Sequence, residues 1–187
     1  MTDLSQPLQG YPRADGRKGI RNVVVVAYLV ECAHHVAREI ALDFRDLAGD
    51  VQVHLVGFPG CYPNAYAERM MTAIATHPNV GAALLVSLGC ESMNKRKLEA
   101  AIADSGRPVQ TLTIQQRGGT RSTVAEGRAW VRGAVAQLAQ QARVPAPCVT
   151  DALMPGPPSV APCRRRCAPR WRRARRPNRR PTNRNTA

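Results

Sequence analysis

The most informative stretch of this 187-residue chain is Asn22-Val23-Val24-Val25-Val26-Ala27-Tyr28-Leu29-Val30. It is a nearly continuous run of apolar, mostly β-branched residues, which is typical of a strand that is buried on both faces. Such strands occur in parallel sheets whose two faces are covered by helices. The stretch therefore predicts a buried strand of an α/β domain.

Strand-like and helix-like segments alternate over residues 22–144. Each strand-like segment is followed by a stretch in which apolar residues recur every three or four positions, as in an amphipathic helix. This alternation implies right-handed crossovers and a mostly parallel sheet, hence a Rossmann-like α/β domain of three layers. The later strands are predicted at 51–56, 82–88 and 109–114, and the helices at 33–47, 66–76, 95–103 and 120–141.

The charge is divided unequally along the chain. The formal net charge of +14 is the sum of +4 in residues 1–144 and +10 in residues 145–187, which hold eleven arginines and one acidic residue. The second segment also holds nine of the fifteen prolines and lacks Lys, Glu, Ile, Phe and Tyr. A segment so poor in large apolar residues cannot offset its ordering entropy, so we expect it to be a disordered tail.

Three interpretations of this tail stay open. The first is that the tail is a solvated extension without a defined role. The second is that it is a salt-sensitive tether for nucleic acid or another anionic surface. The third is out-of-frame translation of GC-rich DNA, which yields Arg, Pro, Ala and Cys without Lys, Glu or Ile. The abrupt change in composition favours the third. Nucleic acid would in any case be bound only through the tail.

Several classes of protein are disfavoured. No apolar run approaches the roughly 20 residues of a membrane-spanning helix, and the first twenty residues are polar. We therefore expect a cytoplasmic protein with reduced thiols, not a membrane protein or one secreted with a standard signal. No Gly-x-Gly-x-x-Gly follows the first strand and no Gly-Lys-Ser/Thr loop is present, which disfavours nucleotide binding by either standard loop.

Reactive side chains follow the predicted strands, at the edge where open α/β sheets bind ligands. Cys32, Cys61 and Cys90 come just after the first three strands, with His34 near the first and Glu91 beside the third. Thiolates with imidazole suit iron or zinc, so the three cysteines and His34 are candidate metal ligands. The alternative is that each cysteine is a small buried residue, since no pair has C-x-x-C spacing.

The loop after the fourth strand ends in Gly118-Gly119-Thr120 and leads directly into a helix. Its free amides and the positive end of the helix dipole would suit a carboxylate or phosphate. The alternative is that Thr120 only caps the helix after a glycine turn.

The order of several motifs resembles a known family. Gly10-Tyr11-Pro12-Arg13-Ala14-Asp15-Gly16-Arg17-Lys18-Gly19-Ile20-Arg21-Asn22 is similar to the G-Y-x-R-x-D-G-R-x-G-x-R-N opening of the large catalytic region of altronate and galactarate dehydratases. His77-Pro78-Asn79-Val80, Leu88-Gly89-Cys90-Glu91, and Ile114-Gln115 with Gly118-Gly119-Thr120 follow in the family's order. We divide the chain into residues 1–21, which carry this opening signature, the domain 22–144 and the tail.

The resemblance covers residues 10–144 and implies the amino-terminal half of a sugar-acid dehydratase large subunit. Such a hydro-lyase eliminates water from an altronate- or galactarate-like acid to give a 2-keto-3-deoxy acid. The resemblance also implies a divalent metal, typically Fe²⁺, and a small dehydratase subunit as partner, with a homo-oligomer as a further expectation. It implies Cys61 and Glu91 as catalytic residues. The substrate-binding residues are expected to be Arg17, Arg21, Gln115, Gly118, Gly119 and Thr120.

Two departures from the family pattern affect the expected function. Many members carry a His-Gly-x-Gly-Cys-Gly loop after the second strand, whereas this chain has Gly57-Phe58-Pro59-Gly60-Cys61-Tyr62, with Gly57 at the His position. The family's catalytic region also continues where this chain has its arginine-rich tail. We therefore expect a chain that is inactive alone. Two alternatives are an α/β binding module whose tail engages nucleic acid, and a regulatory domain that binds sugar acids without turnover.

Overall fold

The computed structural model describes residues 8–146 of the chain. The strands of this part are β1 (Gln9–Pro12), β2 (Lys18–Gly19), β3 (Asn22–Tyr28), β4 (Val51–Gly57), β5 (Val80–Ser87), β6 (Val109–Thr113) and β7 (Val144–Pro145). The α-helices are α1 (His34–Leu42), α2 (Ala65–Ala75), α3 (Lys95–Asp104) and α4 (Thr120–Ala139). Short 3-10 helices at Glu31–Ala33 and Ile114–Gln116 precede α1 and α4.

Strands β3 to β6 form a parallel sheet in the order β4-β3-β5-β6. One apolar cluster lies between the sheet and helices α1 and α4, and a second lies between the sheet and helices α2 and α3. Strand β3 contributes side chains to both clusters, because successive residues of a strand point to opposite faces. Val24 and Val26 lie on the α1–α4 face, and Val23 and Val25 lie on the α2–α3 face. The predicted three-layer α/β domain with a mostly parallel sheet is confirmed.

The strand order creates a topological switch point between β3 and β5. The chain leaves β3 for α1 on one face of the sheet and leaves β5 for α3 on the other face. A crevice opens outside the carboxyl ends of the strands where neighbouring connections diverge in this way. The fold thus places a candidate binding site between the loop after β3 and the loop after β5.

The two ends of the described chain form a small antiparallel sheet in the order β2-β1-β7. Arg13, which directly follows β1, is 8% exposed. The guanidinium of Arg13 donates to the carbonyl oxygen of Pro78 at 2.7 Å and to that of Arg21 at 3.1 Å, and to the side-chain oxygen of Asn22 at 3.0 Å. These bonds tie the opening segment to the amino-terminal end of the parallel sheet.

Asp15 joins two arginines at the same end of the sheet. Its carboxylate accepts hydrogen bonds from Arg17 at 2.7 Å and from the buried Arg107 at 2.8 Å. Arg107 also donates to the carbonyl oxygen of Val80 at 2.9 Å, at the start of β5. The hydrogen bond from Arg17, together with that from Arg107, holds the pKa of Asp15 well below its usual range despite partial burial. The opening signature therefore has a structural role in this chain.

The predicted helices and strands agree with the structure to within two residues at each end, except at the end of α1. Helix α1 ends at Leu42 instead of residue 47, because the amides of Phe44 and Arg45 donate to carbonyl oxygens three residues earlier and tighten the chain into a turn. The tail was expected to begin at residue 145, yet Pro145 pairs with Gln9 in the small sheet. The remainder of the predicted tail, from residue 147 onward, lies outside the described residues. Among residues 8–146, no helix is long and apolar enough to cross a membrane.

Replacing Asp15 with Asn tests the structural role of the signature. The substitution leaves the buried Arg107 without its carboxylate partner, so we expect a loss of about 3 kcal/mol in the free energy of unfolding at neutral pH. The folded-state pKa of Asp15 lies below the unfolded value. Its contribution is therefore present above about pH 4 and is lost as the pH falls through the folded-state pKa.

Urea unfolding of both proteins at several pH values measures this difference. The gap between wild type and Asp15→Asn should narrow as the pH falls below about 4. Asp104→Asn, at an exposed position at the end of α3, is the control and should change stability little. A gap that stays constant with pH would argue against an ionised Asp15 as its source.

Candidate functional site

The candidate site lies outside the carboxyl ends of β3 and β5. Glu31 and His34 stand on the α1–α4 side of the sheet, where α4 also begins. The loop of Cys61 and the loop of Glu91 stand on the α2–α3 side. These two loops are in contact, because the amide of Ser92 donates to the carbonyl oxygen of Cys61 at 3.0 Å.

A polar network connects Glu91 to the ends of β5 and β6. Its carboxylate accepts hydrogen bonds from the hydroxyl of Ser87 and, at 2.8 Å, from the amide of Gly89. The ammonium of Lys95 donates to the hydroxyl oxygens of Ser87 and Thr113, each at 3.0 Å. Burial acts to raise the pKa of Glu91, but the bonds from Ser87 and Gly89 and the charge of Lys95 outweigh it and lower the pKa. Glu91 is therefore ionised at neutral pH.

His34 is held in place on the other side of the crevice. Its Nδ1 lies 3.1 Å from Oε1 of Glu31, and its ring centroid lies 4.8 Å from that of Tyr28, the last residue of β3. A carboxylate beside Nδ1 favours the tautomer with its proton on that nitrogen, which leaves Nε2 free to accept a proton. The His34 side chain is 37% exposed, so a solute can reach this imidazole.

Gly57 lies beneath the ring of Tyr28. The two residues are paired between β4 and β3, and a Cβ atom on Gly57 would overlap the ring carbons of Tyr28. A side chain fits at position 57 only if that ring moves. The tyrosine thus gives a physical reason for glycine at the position where related loops carry histidine.

Helix α4 begins without a side-chain cap. Gly118 and Gly119 have φ angles of 76° and 94°, in the left-handed region that favours glycine, and Gly119 is the N-cap residue. Thr120 is the first residue inside the helix, so it does not cap the helix as the alternative interpretation required. The amides of Thr120, Arg121 and Ser122 have no acceptor within the helix, which makes this terminus suitable for a carboxylate.

Gln115 belongs to the same edge of the sheet. Its backbone amide donates to the carbonyl oxygen of Leu88 at 3.2 Å, and its side chain lies against Gly89. The structure thus brings Gln115 to the loop that carries Glu91.

The predicted metal ligands do not form a ligand set. Cys32, Cys61 and Cys90 are free and exposed, so they are not the small buried residues of the alternative interpretation. Within residues 8–146, no three His, Cys, Asp or Glu side chains are grouped so that they could hold a metal ion. These residues by themselves therefore do not fit the predicted Fe²⁺.

The structure does not bring Arg17 and Arg21 to the candidate site. A guanidinium nitrogen of Arg17 donates to the carbonyl oxygen of Thr76 at 2.6 Å, and the amide of Arg21 donates to the side chain of Asn79 at 3.2 Å. Thr76 and Asn79 precede β5, so both arginines lie at the amino-terminal end of the sheet. Substrate binding by either arginine stays a prediction that this placement does not support.

Three members of the Glu91 network were not found from the sequence: Ser87, Lys95 and Thr113. A signal was present, because Ser87 and Thr113 are the polar last residues of β5 and β6 and are register partners. Lys95 follows Glu91 by four residues, as Glu91 follows Ser87. That spacing has meaning only once the loop between Ser87 and α3 is known to fold back on the strand end.

A known family matches the chain over most of its described length. The family description "D-galactarate dehydratase/Altronate hydrolase, second domain" matches residues 10–139. This chain belongs to the D-galactarate dehydratase/altronate hydrolase family. The altronate dehydratase of Escherichia coli (strain K12) is 29% identical over 106 residues, which are 52% of this chain and 21% of that protein. The chain thus spans about a fifth of the length of this curated relative.

The family motifs of this galactarate dehydratase/altronate hydrolase domain lie at both ends of the parallel sheet, and their surroundings differ. The opening signature lies at the amino-terminal end of the sheet and is bound by internal hydrogen bonds. The motifs around Glu91 and Thr120 lie at the carboxyl end, where Glu91 is partly exposed and the start of α4 has no side-chain cap. Any ligand of the domain is therefore expected at the carboxyl end.

Replacing Gly57 with Ala tests the contact with Tyr28. The added Cβ overlaps the ring, and overpacking of this kind costs about 1–3 kcal/mol. We expect the free energy of unfolding, measured with urea, to fall by that amount. Gly133→Ala in α4 is the matched control, since its Cβ meets open space and Ala favours a helix, so that variant should gain stability. A Gly57→Ala protein as stable as wild type would contradict the contact.

Proposed function

We propose that this chain binds a sugar acid in the crevice between β3 and β5, as the substrate-binding part of a hydro-lyase of the altronate/galactarate dehydratase type. The proposal depends on one observation: the uncapped start of α4 and the ionised Glu91 lie at the same edge of the sheet. Backbone amides suit the carboxylate of such an acid, and a carboxylate accepts hydrogen bonds from its hydroxyl groups.

The chemistry of dehydration assigns different roles to the groups around the crevice. Elimination from a 2,3-dihydroxy acid requires a base for the proton next to the carboxylate and a proton for the departing hydroxyl. His34, with Nε2 free, is suited to take that proton and to return it to the hydroxyl, so that water leaves and His34 ends unchanged. Amides at the start of α4 would stabilise the negative charge that develops on the substrate carboxylate. Glu91, being ionised, is suited to hold hydroxyl groups.

The chain's part in the complete reaction is also a proposal. About four fifths of the Escherichia coli altronate dehydratase lies outside the matched region. We propose that full turnover, and any site for Fe²⁺, depends on parts beyond residues 8–146, supplied by further chain, a small subunit or a second copy. The reaction is assigned to the cytoplasm, where exposed thiols stay reduced. The nucleic-acid alternative depends on the arginine-rich tail, outside the described residues.

Calorimetric titration with galactarate tests substrate binding. Thr120→Pro removes one amide donor while proline remains compatible with the first position of a helix. Loss of one hydrogen bond to a charged group should weaken galactarate binding about tenfold. Galactitol has the same four secondary hydroxyls, with a primary hydroxyl in place of each carboxylate. It should bind more weakly than galactarate to wild type and be unaffected by Thr120→Pro.

Ala65→Pro is the matched control, because Ala65 is the first residue of α2, which lies on the opposite face of the sheet from α4. It should bind galactarate as wild type does. Equal binding of galactarate and galactitol by wild type, or an unchanged affinity in Thr120→Pro, would refute a carboxylate site at α4. A wild-type chain that binds neither ligand would refute the proposed function.

A further inference from the structure

We propose that Lys95 is a positioning residue: acting through Ser87, it fixes Glu91 as the acceptor for the hydroxyl groups of a polyhydroxy acid. This inference rests on the proposed function, since it assumes that a sugar acid occupies the crevice. It adds to that function by naming the group that recognises the hydroxyls and the residues that hold this group in place.

The direction of the hydrogen bonds carries the inference. An ammonium group can only donate, so Ser87 accepts from Lys95 and must use its own hydrogen elsewhere. That hydrogen is donated to the carboxylate of Glu91. Lys95 thus fixes the orientation of the Ser87 hydroxyl, and that hydroxyl fixes the position of one carboxylate oxygen of Glu91.

The two hydroxyls are buried and the charged groups are not. Ser87 is fully buried and Thr113 is 5% exposed, whereas Lys95 and Glu91 are each partly exposed. A satisfied buried network is rigid, because every alternative arrangement leaves a polar group without a partner. The rigid part therefore lies beneath the crevice, and the carboxylate above it is held in one orientation.

The glutamate keeps acceptor capacity for a ligand. A carboxylate has about four lone-pair positions, and Ser87 and Gly89 each occupy one. The remaining positions lie on a side chain that solvent can reach. Hydroxyl groups of a polyhydroxy acid can donate hydrogen bonds to these positions. A carboxylate placed directly beside Glu91 would instead be repelled by its negative charge.

Binding measurements with two ligands distinguish this role from a purely structural one. Galactarate has two carboxylates and four hydroxyls, and adipate has the same carbon chain and carboxylates without hydroxyls. Adipate reports the change in charge alone, so we expect Lys95→Met and Glu91→Gln each to weaken galactarate binding about tenfold relative to the binding of adipate. Lys97→Met, on the exposed side of the same helix, is the matched control and should bind both ligands as wild type does.

A double-mutant cycle tests whether Lys95 acts through Ser87. Ser87→Ala should weaken galactarate binding as Lys95→Met does, and the double variant should bind no more weakly than either single variant. If Lys95→Met fails to fold, Ser87→Ala and Lys95→Arg, which keeps a cationic donor, still test the role. We expect Lys95→Arg to retain most of the galactarate affinity.

Failure of the positioning role and failure of the proposed function give different results in these measurements. Additive effects of the two single variants, or equal losses for galactarate and adipate, would refute the positioning role and leave the proposed function standing. A Lys95→Met protein that binds galactarate as tightly as wild type would also refute the positioning role and leave the proposed function standing. A wild-type chain that binds no sugar acid would refute the proposed function and this role together.

Discussion

Strand β3 pairs in parallel with both β4 and β5, and this double pairing constrains the rest of the domain. A strand with parallel neighbours on both sides has no free edge, so apolar side chains must cover both of its faces. Its connections must then cross over helices, and the two connections that flank the switch point leave on opposite faces. The crevice is thus a consequence of the same pairing that buries the valines of β3.

The two ends of the parallel sheet differ in how their polar groups are satisfied. At the amino-terminal end, Arg13 and Arg107 bond to backbone carbonyl oxygens and to acceptors within the fold, and Asp15 neutralises part of their charge. At the carboxyl end, the start of α4 and part of the Glu91 carboxylate have no acceptor or donor within the described residues. The polar groups at one end therefore help to hold the fold together, and those at the other end remain able to bind a ligand.

The parallel sheet and its helices could be predicted from the sequence because each element carries its own periodicity. The small sheet could not, since β1 and β2 are short and have no periodic pattern, and β1 pairs with β7 more than a hundred residues away. The carboxyl-edge position of Cys61, Glu91 and His34 was predictable from the strands that precede them. The face of the sheet on which each lies was not, because it depends on where the following helix packs. This is why a ligand set inferred from loop order alone did not assemble.

The electrostatics of the carboxyl edge limit what can bind there. Helix α4 offers backbone amides and the positive end of a dipole on one side of the crevice, and Glu91 offers a fixed negative charge on the other. A ligand with several phosphates would satisfy the amides but would be repelled by the glutamate, at a cost that grows with its charge. A neutral polyol would satisfy Glu91 and leave the amides with water. A polyhydroxy acid carries a carboxylate and hydroxyl donors on one chain, so it would satisfy both sides at once, as the proposed sugar-acid ligand requires.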